Sequence, residues 1–264
     1  MATIKVIITG ATGMVGEGVL FECLQNSTVS EVLIINRRHY DLDHPKLKEL
    51  IVSDFFQLDQ FAQKIKGYDA CFFCAGVSSV GRKEEKYTYI TYDTTIAFAR
   101  TLLNYNNDMS FCYVSGSHTD SSEKGRMMWA RVKGKTENDL MKLPFKAEYN
   151  FRPGIMLPFR GQKNWKSIYK ILAKIFKTVS PKNVLTMQEV GQAMINAVTI
   201  GYPKSILEIA DIKQLAKAQS ECFKSITLHF RIIDLFIFNI RVNNRYHYHK
   251  EQSAKHYNNS GSLR

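Results

Sequence analysis

The chain of 264 residues lacks several features that would assign it to a particular class of protein. It has no run of eighteen or more uncharged apolar residues, so no segment is predicted to span a membrane. Its first residues, MATIKVIITG, do not have the basic, apolar and small-residue order of a secretory signal. Its five cysteines are an odd number without the spacing of a disulfide framework. We therefore expect a cytoplasmic protein.

Redox chemistry and nucleic-acid binding also lack a convincing signal. Cys71 and Cys74 form a C-x-x-C pair, but they lie in the strand-like run DACFFCAG, where residues three apart point to opposite faces. The net charge of +12 is spread over many segments and not concentrated in one helix or arm. We expect no nucleic-acid partner, and a polyanionic cofactor or a solubilising surface accounts for the charge.

Strand-like and helical segments alternate through the first half of the chain. The helices are predicted near residues 14–26, 58–66, 86–106 and 127–142. The strand-like runs are nearly continuous in Val, Ile, Phe and Cys, which is typical of parallel strands covered on both faces. These runs are TIKVIIT, EVLIIN, LKELIVS, DACFFCA, MSFCYVS and AEYNFRP. The pattern predicts a Rossmann-like α/β fold with a doubly wound parallel sheet.

Beyond Pro153 the alternation loosens. The segment FRGQKNWKSIYKILAKIFKTVSP is predicted to form a helix and irregular chain at the carboxyl edge of the sheet, as a small substrate region. TMQEVGQAMINAVTIG has helical apolar spacing and ends at Gly201, SILEI is a further strand, and a helix begins near Asp211. We expect one domain over residues 1–218.

Residues 219–264 differ in kind from this domain. The run ITLHFRIIDLFIFNIRV is apolar but carries charges that a membrane span would bury, and the residues after it resemble a disordered tail. The run remains open as a peripheral membrane or partner-binding helix, an extra strand, or a non-native extension of the reading frame. We expect no metal site from the three histidines of the tail, which are His247, His249 and His256.

Three glycines follow the first strand in ITGATGMVGEG. Gly10 permits a tight turn, Gly13 lets the backbone approach a pyrophosphate, and Gly16 lets helix and strand pack closely. The amides at the start of the helix then face the anion. The predicted cofactor-binding residues of this turn are Gly10, Thr12, Gly13, Met14 and Val15.

The end of the second strand indicates which dinucleotide binds. An acidic residue there would accept hydrogen bonds from the ribose of NAD, but the chain has Asn36, Arg37 and Arg38. Two guanidinium groups match the 2′-phosphate of NADP, so Arg37 and Arg38 predict NADP in preference to NAD.

Two further strand ends are expected to line the cofactor. Asp54 and Phe55 follow the third strand, where the adenine ring should lie. Ala75 and Gly76 follow the fourth, on the side of the nicotinamide ribose and the diphosphate, where small residues leave room.

These motifs resemble the short-chain dehydrogenase/reductase superfamily, in its extended and atypical, epimerase-like branches. The resemblance lies in T-G-x-x-G-x-x-G from Thr9 to Gly16 and in YVSGSHTDSS, ARVKGKTENDL and FRPGIML, and it covers about residues 3–218. Within this superfamily the sequence resembles the group of the Tat-interacting-protein oxidoreductases. The resemblance implies that Pro153, Gly154 and Ile155, together with Arg152, pass under the nicotinamide.

The resemblance also implies a catalytic serine and lysine, but the usual tyrosine is missing. Ser115 and Ser117 match the family's serine at the end of the fifth strand, and Ser115 is the predicted catalytic residue. Lys133 matches the lysine of Tyr-x-x-x-Lys, which binds the nicotinamide ribose and lowers the pKa of the tyrosine. Trp129 stands at the tyrosine position, and its indole N–H does not titrate in water, so it cannot shuttle a proton.

Two functions therefore remain open. One is an NADP-binding oxidoreductase-like protein of unknown substrate, and the other is a catalytically inactive NADP-bound sensor or scaffold that binds a partner. A hydrolase relay of Ser115, His118 and Asp120 is not favoured, since the chain has no G-x-S-x-G elbow. Side chains that could replace the missing acid are Tyr87, Tyr89, Tyr92, Tyr113 and His118.

Overall fold

A computed structural model of the chain describes residues 3–159, 161–162 and 183–218. The chain divides into two units, and the fold described here is that of the first, Met1–Lys217. Three expectations lie outside the described residues. They are most of the helix and irregular chain expected over 159–181, the nature of the run 219–264, and the three histidines of the tail.

Seven parallel strands form the central sheet and confirm the predicted doubly wound architecture. The strand order is β3-β2-β1-β4-β5-β6-β9, so the direction of winding reverses between β1 and β4. Ligands of such sheets bind outside the carboxyl ends of the strands at this reversal. The strands are β1 Ile4–Thr9, β2 Val29–Asn36, β3 Leu47–Ile51, β4 Ala70–Phe73, β5 Ser110–Val114, β6 Ala147–Phe151 and β9 Ile206–Leu207.

A second, two-stranded sheet was not expected from the sequence. It pairs β7 Ile155–Leu157 with β8 Val184–Thr186 in parallel. Strands of three residues are too short to show a hydrophobic alternation, which explains why the sequence pattern does not reveal them.

Helices cover both faces of the large sheet. Apolar residues of α1 and α6 pack on one face with those of β1, β2 and β6, while α4 and α5 contribute to the core on the other face. The helices are α1 Met14–Gln25, α2 Ala62–Ile65, α3 Glu84–Thr88, α4 Thr94–Tyr105, α5 Met128–Leu140, α6 Met187–Ile200 and α7 209–218. None of these helices, within the described part of the chain, is long and apolar enough to cross a lipid bilayer.

Two predicted helices are less regular than their apolar spacing suggested. The helix expected over 58–66 is a 3₁₀ segment, Phe55–Phe61, followed by the single turn of α2. The helix expected over 86–106 begins at Glu84 and contains one widened turn, Tyr89–Asp93, between α3 and α4. Apolar spacing predicts that a helix forms but does not distinguish these local variants.

The position of α1 depends on its close packing against α6. A Cβ atom added to Gly18 would lie 2.7 Å from the Cβ of Met187, and one added to Gly191 would lie 2.6 Å from the Cβ of Glu22. Both glycines therefore allow the two helices to approach. Thr186 and Glu189 form a capping box that begins α6.

The C-x-x-C pair has the geometry predicted for a strand. Cys71 packs with the α4 and α5 side of the sheet, whereas Cys74 packs with the α1 and α6 side. Burial raises the pKa of both thiols, so neither side chain is an activated nucleophile.

Candidate functional site

Two positions at the junction of β1 and α1, Gly10 and Gly16, have no room for a side chain. Gly10 has a φ of +72°, and a Cβ atom there would lie 2.8 Å from the backbone of Ala75. A Cβ atom on Gly16 would overlap the carbonyl group of Gly10. The turn is therefore pressed against the end of β4 on one side and against the first turn of α1 on the other.

Hydrogen bonds hold this turn in place. The Gly13 amide donates to the Gly10 carbonyl (2.8 Å), and the Thr9 hydroxyl accepts from the Ala75 amide (3.1 Å). The carboxyl ends of β1 and β4 are thus joined directly beside the turn. Gly13, the N-cap of α1, is exposed, and no side chain caps the helix.

The start of α1 has the properties of a pyrophosphate site. Thr12 is exposed, and Met14 and Val15 are the partly buried first residues of the helix. Amides in a first helical turn have no partner within the helix and carry its positive end. A glycine turn that excludes side chains and a helix start without a side-chain cap fit a dinucleotide phosphate.

The segment after β2 also has groups suited to a nucleotide. Arg37 and Arg38 are exposed, and neither forms an ion pair within the described residues. Asn36 is 3% exposed, and its Oδ1 has no hydrogen-bond partner in the described part of the chain. Two cations without a carboxylate partner and one buried acceptor without a donor are therefore adjacent in the chain.

The predicted adenine contacts at the end of β3 have different surroundings. Asp54 caps the following 3₁₀ segment and accepts from the Phe56 amide (3.0 Å). Phe55 is 8% exposed, and its ring packs 5.0 Å from that of Phe98 in the core. Only the backbone of Phe55 is left to face a cofactor, so a stacking contact from its ring is not supported.

The end of β4 adjoins the glycine turn. The backbone of Ala75 lies against Gly10. Gly76 is exposed, and apart from its two chain neighbours no heavy atom of the described residues lies within 4 Å of the place where its Cβ would be. Free space beside the turn is what the small residues of CAGVSS predict, although a cofactor contact at these two residues stays a prediction.

Two serines follow β5, and their hydroxyl groups differ in availability. The Ser115 hydroxyl is buried and donates to the carbonyl of Phe151 (3.1 Å). The Ser117 side chain is partly buried and forms no hydrogen bond within the described residues. A substrate oxygen could therefore be held by Ser117 directly, whereas Ser115 would first have to leave Phe151.

Lys133 on α5 reaches the same strand end. Its Nζ donates to the carbonyl of Ser115 and lies 3.4 Å from that of Val114. Burial lowers the pKa of Lys133 to about 8, while the nearby Glu137 carboxylate raises it. The Lys133 amine is therefore held by backbone carbonyls at the carboxyl edge of the sheet, and its contact with a nicotinamide ribose stays a prediction.

Gly134 explains how α5 approaches this edge. A Cβ atom at Gly134 would overlap the carbonyl of Asp120, and the Asp120 amide donates to the Ala130 carbonyl (3.1 Å). The loop after β5 and the start of α5 are therefore packed directly on each other.

Trp129 lies in the first turn of α5, one turn before Lys133. It is partly buried, and its indole N–H has no hydrogen-bond partner in the described structure. The helix that carries Lys133 therefore has an indole N–H, which does not titrate in water, one turn before the lysine.

The segment after β6 combines one predicted contact region with one correction. Pro153 accepts from the Ser117 amide (3.0 Å), and the place where a Cβ of Gly154 would be lies 3.7 Å from the Ser117 hydroxyl. Ile155 begins β7. Pro153, Gly154 and Ile155 therefore lie beside the serine loop, as a cofactor-lining segment would.

Arg152 does not face that region, which corrects the expectation that its side chain lines the cofactor. Its guanidinium binds both oxygens of Glu137 (3.0 and 2.5 Å), Glu208 (3.1 Å) and the Ser121 hydroxyl (2.6 Å). It joins β6 to α5 because a buried carboxylate needs a charged partner. The sequence does contain a signal for this pair. Glu137 lies three residues before Leu140 on the buried face of α5, and a carboxylate on a buried face indicates a cationic partner.

The five candidate replacement acids are not equivalent. Tyr87 and Tyr113 are buried, and burial raises the pKa of both phenols. Tyr92 donates to Asp139 (2.7 Å), and Tyr89 is exposed and stacks on Phe56. His118 is exposed with a φ of +66°. Of these five side chains, Tyr113 lies near Lys133, with its ring centroid 5.9 Å from the Lys133 amine.

The hydrolase relay is absent from this loop. Asp120 accepts from Ser122 and from the Gly125 amide, and these hydrogen bonds lower its pKa. The Ser115 hydroxyl is bound to a backbone carbonyl, and His118 contacts neither of them. The three side chains therefore do not form a chain of hydrogen bonds.

A family model agrees with this geometry. The model described as the NAD dependent epimerase/dehydratase family matches residues 6–124, which contain the glycine turn and the ends of β2 to β5. The chain is similar to this family over those residues. The resemblance to the short-chain dehydrogenase/reductase superfamily, predicted from the sequence motifs, is confirmed by this match.

Two named proteins are similar to this chain. It is 28% identical to Protein HTATIP2 of Rattus norvegicus over 155 residues, which are 58% of this chain and 63% of the rat protein, so the match spans less than two thirds of that relative. It is 25% identical to Protein FMP52-2, mitochondrial, of Scheffersomyces stipitis over 79% of this chain and 94% of the yeast protein. Because that yeast name is mitochondrial, the cytoplasmic location stays a prediction.

A solved structure has the same fold. Gre2 of Candida albicans, in complex with NADPH, aligns with a TM-score of 0.59 at 16% identity over 78% of each chain. At this identity the likeness supports the Rossmann-like fold and carries no assignment of residues.

Proposed function

We propose that the chain is an NADP-binding oxidoreductase-like protein of the atypical short-chain dehydrogenase/reductase type. The observation that carries the proposal is the glycine turn, where backbone packing excludes a side chain at Gly10 and Gly16 beside the start of α1 without a side-chain cap. A turn of this form at the strand-order reversal serves dinucleotide phosphates. The match of residues 6–124 to the NAD dependent epimerase/dehydratase family model supports it.

The residues of the proposed site divide into binding and substrate roles. Arg37 and Arg38 receive the 2′-phosphate, and the start of α1 receives the pyrophosphate. Lys133 donates to the nicotinamide ribose. A dinucleotide held by these residues would supply or accept hydride, and a serine hydroxyl would hold the carbonyl or hydroxyl oxygen of the substrate. Ser117 can do this without losing a hydrogen bond, whereas Ser115, the match that the sequence favours, must exchange one.

This reaction also needs a proton donor. The absence of the usual tyrosine favours a second candidate function. Trp129 replaces the usual donor, Tyr87 and Tyr113 are buried, and Tyr92 is bound to Asp139. An active enzyme would take its proton from water or from an unusual side chain. A cofactor-bound sensor or scaffold needs none, and this second candidate keeps the binding site while binding a protein partner.

Calorimetric titration with NADPH and NADH tests the binding proposal. We expect NADPH to bind more tightly, and the double variant Arg37→Ala/Arg38→Ala to reduce the preference by about tenfold or more, because phosphate contacts to guanidinium groups are lost. Arg100 on α4 is the matched control, since it is also exposed and forms no ion pair within the described residues. Equal affinities for both nucleotides in the parent would contradict the arginine assignment.

The Trp129→Tyr variant separates the two candidate functions. If the parent does not oxidise NADPH with simple carbonyl compounds and the variant does, the site is a reductase site that lacks only its acid. A parent that is already active shows that another donor operates. If the parent and the variant both bind NADPH and neither oxidises it, the function as a sensor or scaffold is favoured.

A further inference from the structure

Glu49 on β3 holds the segment that carries the two arginines. Its Oε1 accepts from the Tyr40 amide (2.9 Å) and from Nδ2 of Asn36 (3.4 Å). Its Oε2 lies 2.5 Å from Nδ1 of His39. One carboxylate is therefore bonded to the first residue and to the last two residues of the segment 36–40.

A second carboxylate holds the same segment from the other side. The Tyr40 hydroxyl donates to Oε1 of Glu17 (2.9 Å), which is fully buried in the first turn of α1. The segment is thus tied both to β3 and to the helix that follows the glycine turn. Arg37 and Arg38 lie between the tied positions and point to solvent without an ion-pair partner in the described residues.

The contact with Glu49 also determines how the Asn36 amide is turned. A carboxylate can only accept hydrogen bonds, so the amide nitrogen of Asn36 must face Glu49. Its Oδ1 then points elsewhere, and it is buried with no donor in the described structure. Buried acceptors are almost always paired, and a ribose hydroxyl at the end of β2 is a donor of the right kind.

We propose that Glu49 is a positioning residue of the adenosine end of the site, fixing Asn36 for a ribose hydroxyl and Arg37 and Arg38 for the 2′-phosphate. This rests on the proposed NADP binding. Glu49 does not attract the phosphate, because a carboxylate near a phosphate repels it. Its contribution is the conformation of the segment, through its contacts with Asn36, His39 and Tyr40.

Two substitutions separate positioning from charge. In Glu49→Gln, Oε1 can still accept from both Tyr40 and Asn36, and the negative charge is gone. In Glu49→Ala both the acceptor and the charge are lost. We expect Glu49→Ala to reduce the preference for NADPH over NADH by about tenfold, and Glu49→Gln to keep NADPH affinity within about threefold of the parent or to increase it.

Glu31 on β2 provides a matched control. Its side chain is 20% exposed, compared with 19% for Glu49, and it bonds Lys48 (2.6 Å) and Tyr68 (2.8 Å) at the opposite end of the same strand pair. Glu31→Ala should leave the affinities for NADPH and NADH within about twofold of the parent, since it loses similar contacts far from the segment 36–40.

The measurement is calorimetric titration of each folded variant with NADPH and NADH, with 2′-AMP and 5′-AMP as probes of the phosphate position alone. A parent that binds neither dinucleotide refutes the proposed function and leaves no site for Glu49 to position. A parent with NADPH preference whose Glu49→Ala variant keeps the full preference overturns the inference. So does a Glu49→Gln variant that loses as much as Glu49→Ala.

A further variant keeps the proposal testable if Glu49→Ala does not fold. Asn36→Ala removes the proposed ribose acceptor and leaves Glu49, Tyr40 and His39 in contact. We expect it to weaken NADPH and NADH alike, by about fivefold or more, because the ribose is common to both. Unchanged affinity for both would overturn the orientation argument.

Discussion

Replacing Arg152 by methionine should destabilise the fold strongly. The substitution keeps most of the side-chain volume but removes the guanidinium that binds Glu137, Glu208 and Ser121. Glu137 is fully buried, with 0% exposure, and the Arg152 side chain is 10% exposed. The variant therefore leaves a buried carboxylate without its cation.

Breaking one partner of a buried pair costs about 3–5 kcal/mol, and we expect a loss in this range at neutral pH. For a domain of this size each kcal/mol lowers Tm by about 2–4 °C, so the expected decrease is roughly 6–20 °C. The loss should be smaller in acid, because an unpaired buried carboxyl has a raised pKa and folds in its neutral form. The double variant Arg152→Met/Glu137→Leu should recover much of the stability, since the unpaired charge is gone.

Urea unfolding followed by circular dichroism at pH 7 and pH 5 measures these differences. Lys146→Met is the control, because Lys146 pairs with Asp108 at the surface, where the side chains are 57% and 85% exposed. Its expected loss is below about 1 kcal/mol. The reasoning fails if Arg152→Met is as stable as this control, or if the double variant is no more stable than the single one.

Two further predictions concern the glycine turn and a buried acid. Gly16→Ala should lower stability by about 1–3 kcal/mol and abolish NADPH binding, because its Cβ overlaps the Gly10 carbonyl, whereas Gly76→Ala, in open space, should leave the urea midpoint unchanged. Burial raises the pKa of Glu148 to about 9. Between about pH 4.3 and 9 the folded protein therefore keeps a proton on Glu148 that the unfolded chain has lost. The contribution of this group to the free energy of unfolding consequently falls as the pH rises through this range. Glu148→Gln should thus be more stable than the parent near pH 8 and similar near pH 4; a difference that does not vary with pH would contradict the assignment.

The local features of the site could be predicted because they depend on neighbours in sequence. Gly10 and Gly16 are required by the backbone of one turn, and the parallel sheet follows from runs of apolar residues separated by helices. The exposed arginines after β2 likewise follow from their place at a strand end.

The remaining features depend on contacts between distant segments. The sequence favours Ser115 over Ser117, but it does not reveal that the Ser115 hydroxyl is bound to the carbonyl of Phe151, 36 residues away. The sequence predicts that Arg152 lines the cofactor, because it does not show that Glu137, on α5, lies close enough to bind its guanidinium. No pattern in the sequence indicates Glu49, since an exposed edge strand gives no reason to single out one of its carboxylates.

Calorimetric titration of the purified chain with NADPH tests the central claim most directly. The account predicts saturable binding that is tighter for NADPH than for NADH and is lost in Gly16→Ala. A parent chain that binds neither nucleotide, while remaining folded by circular dichroism, would contradict it.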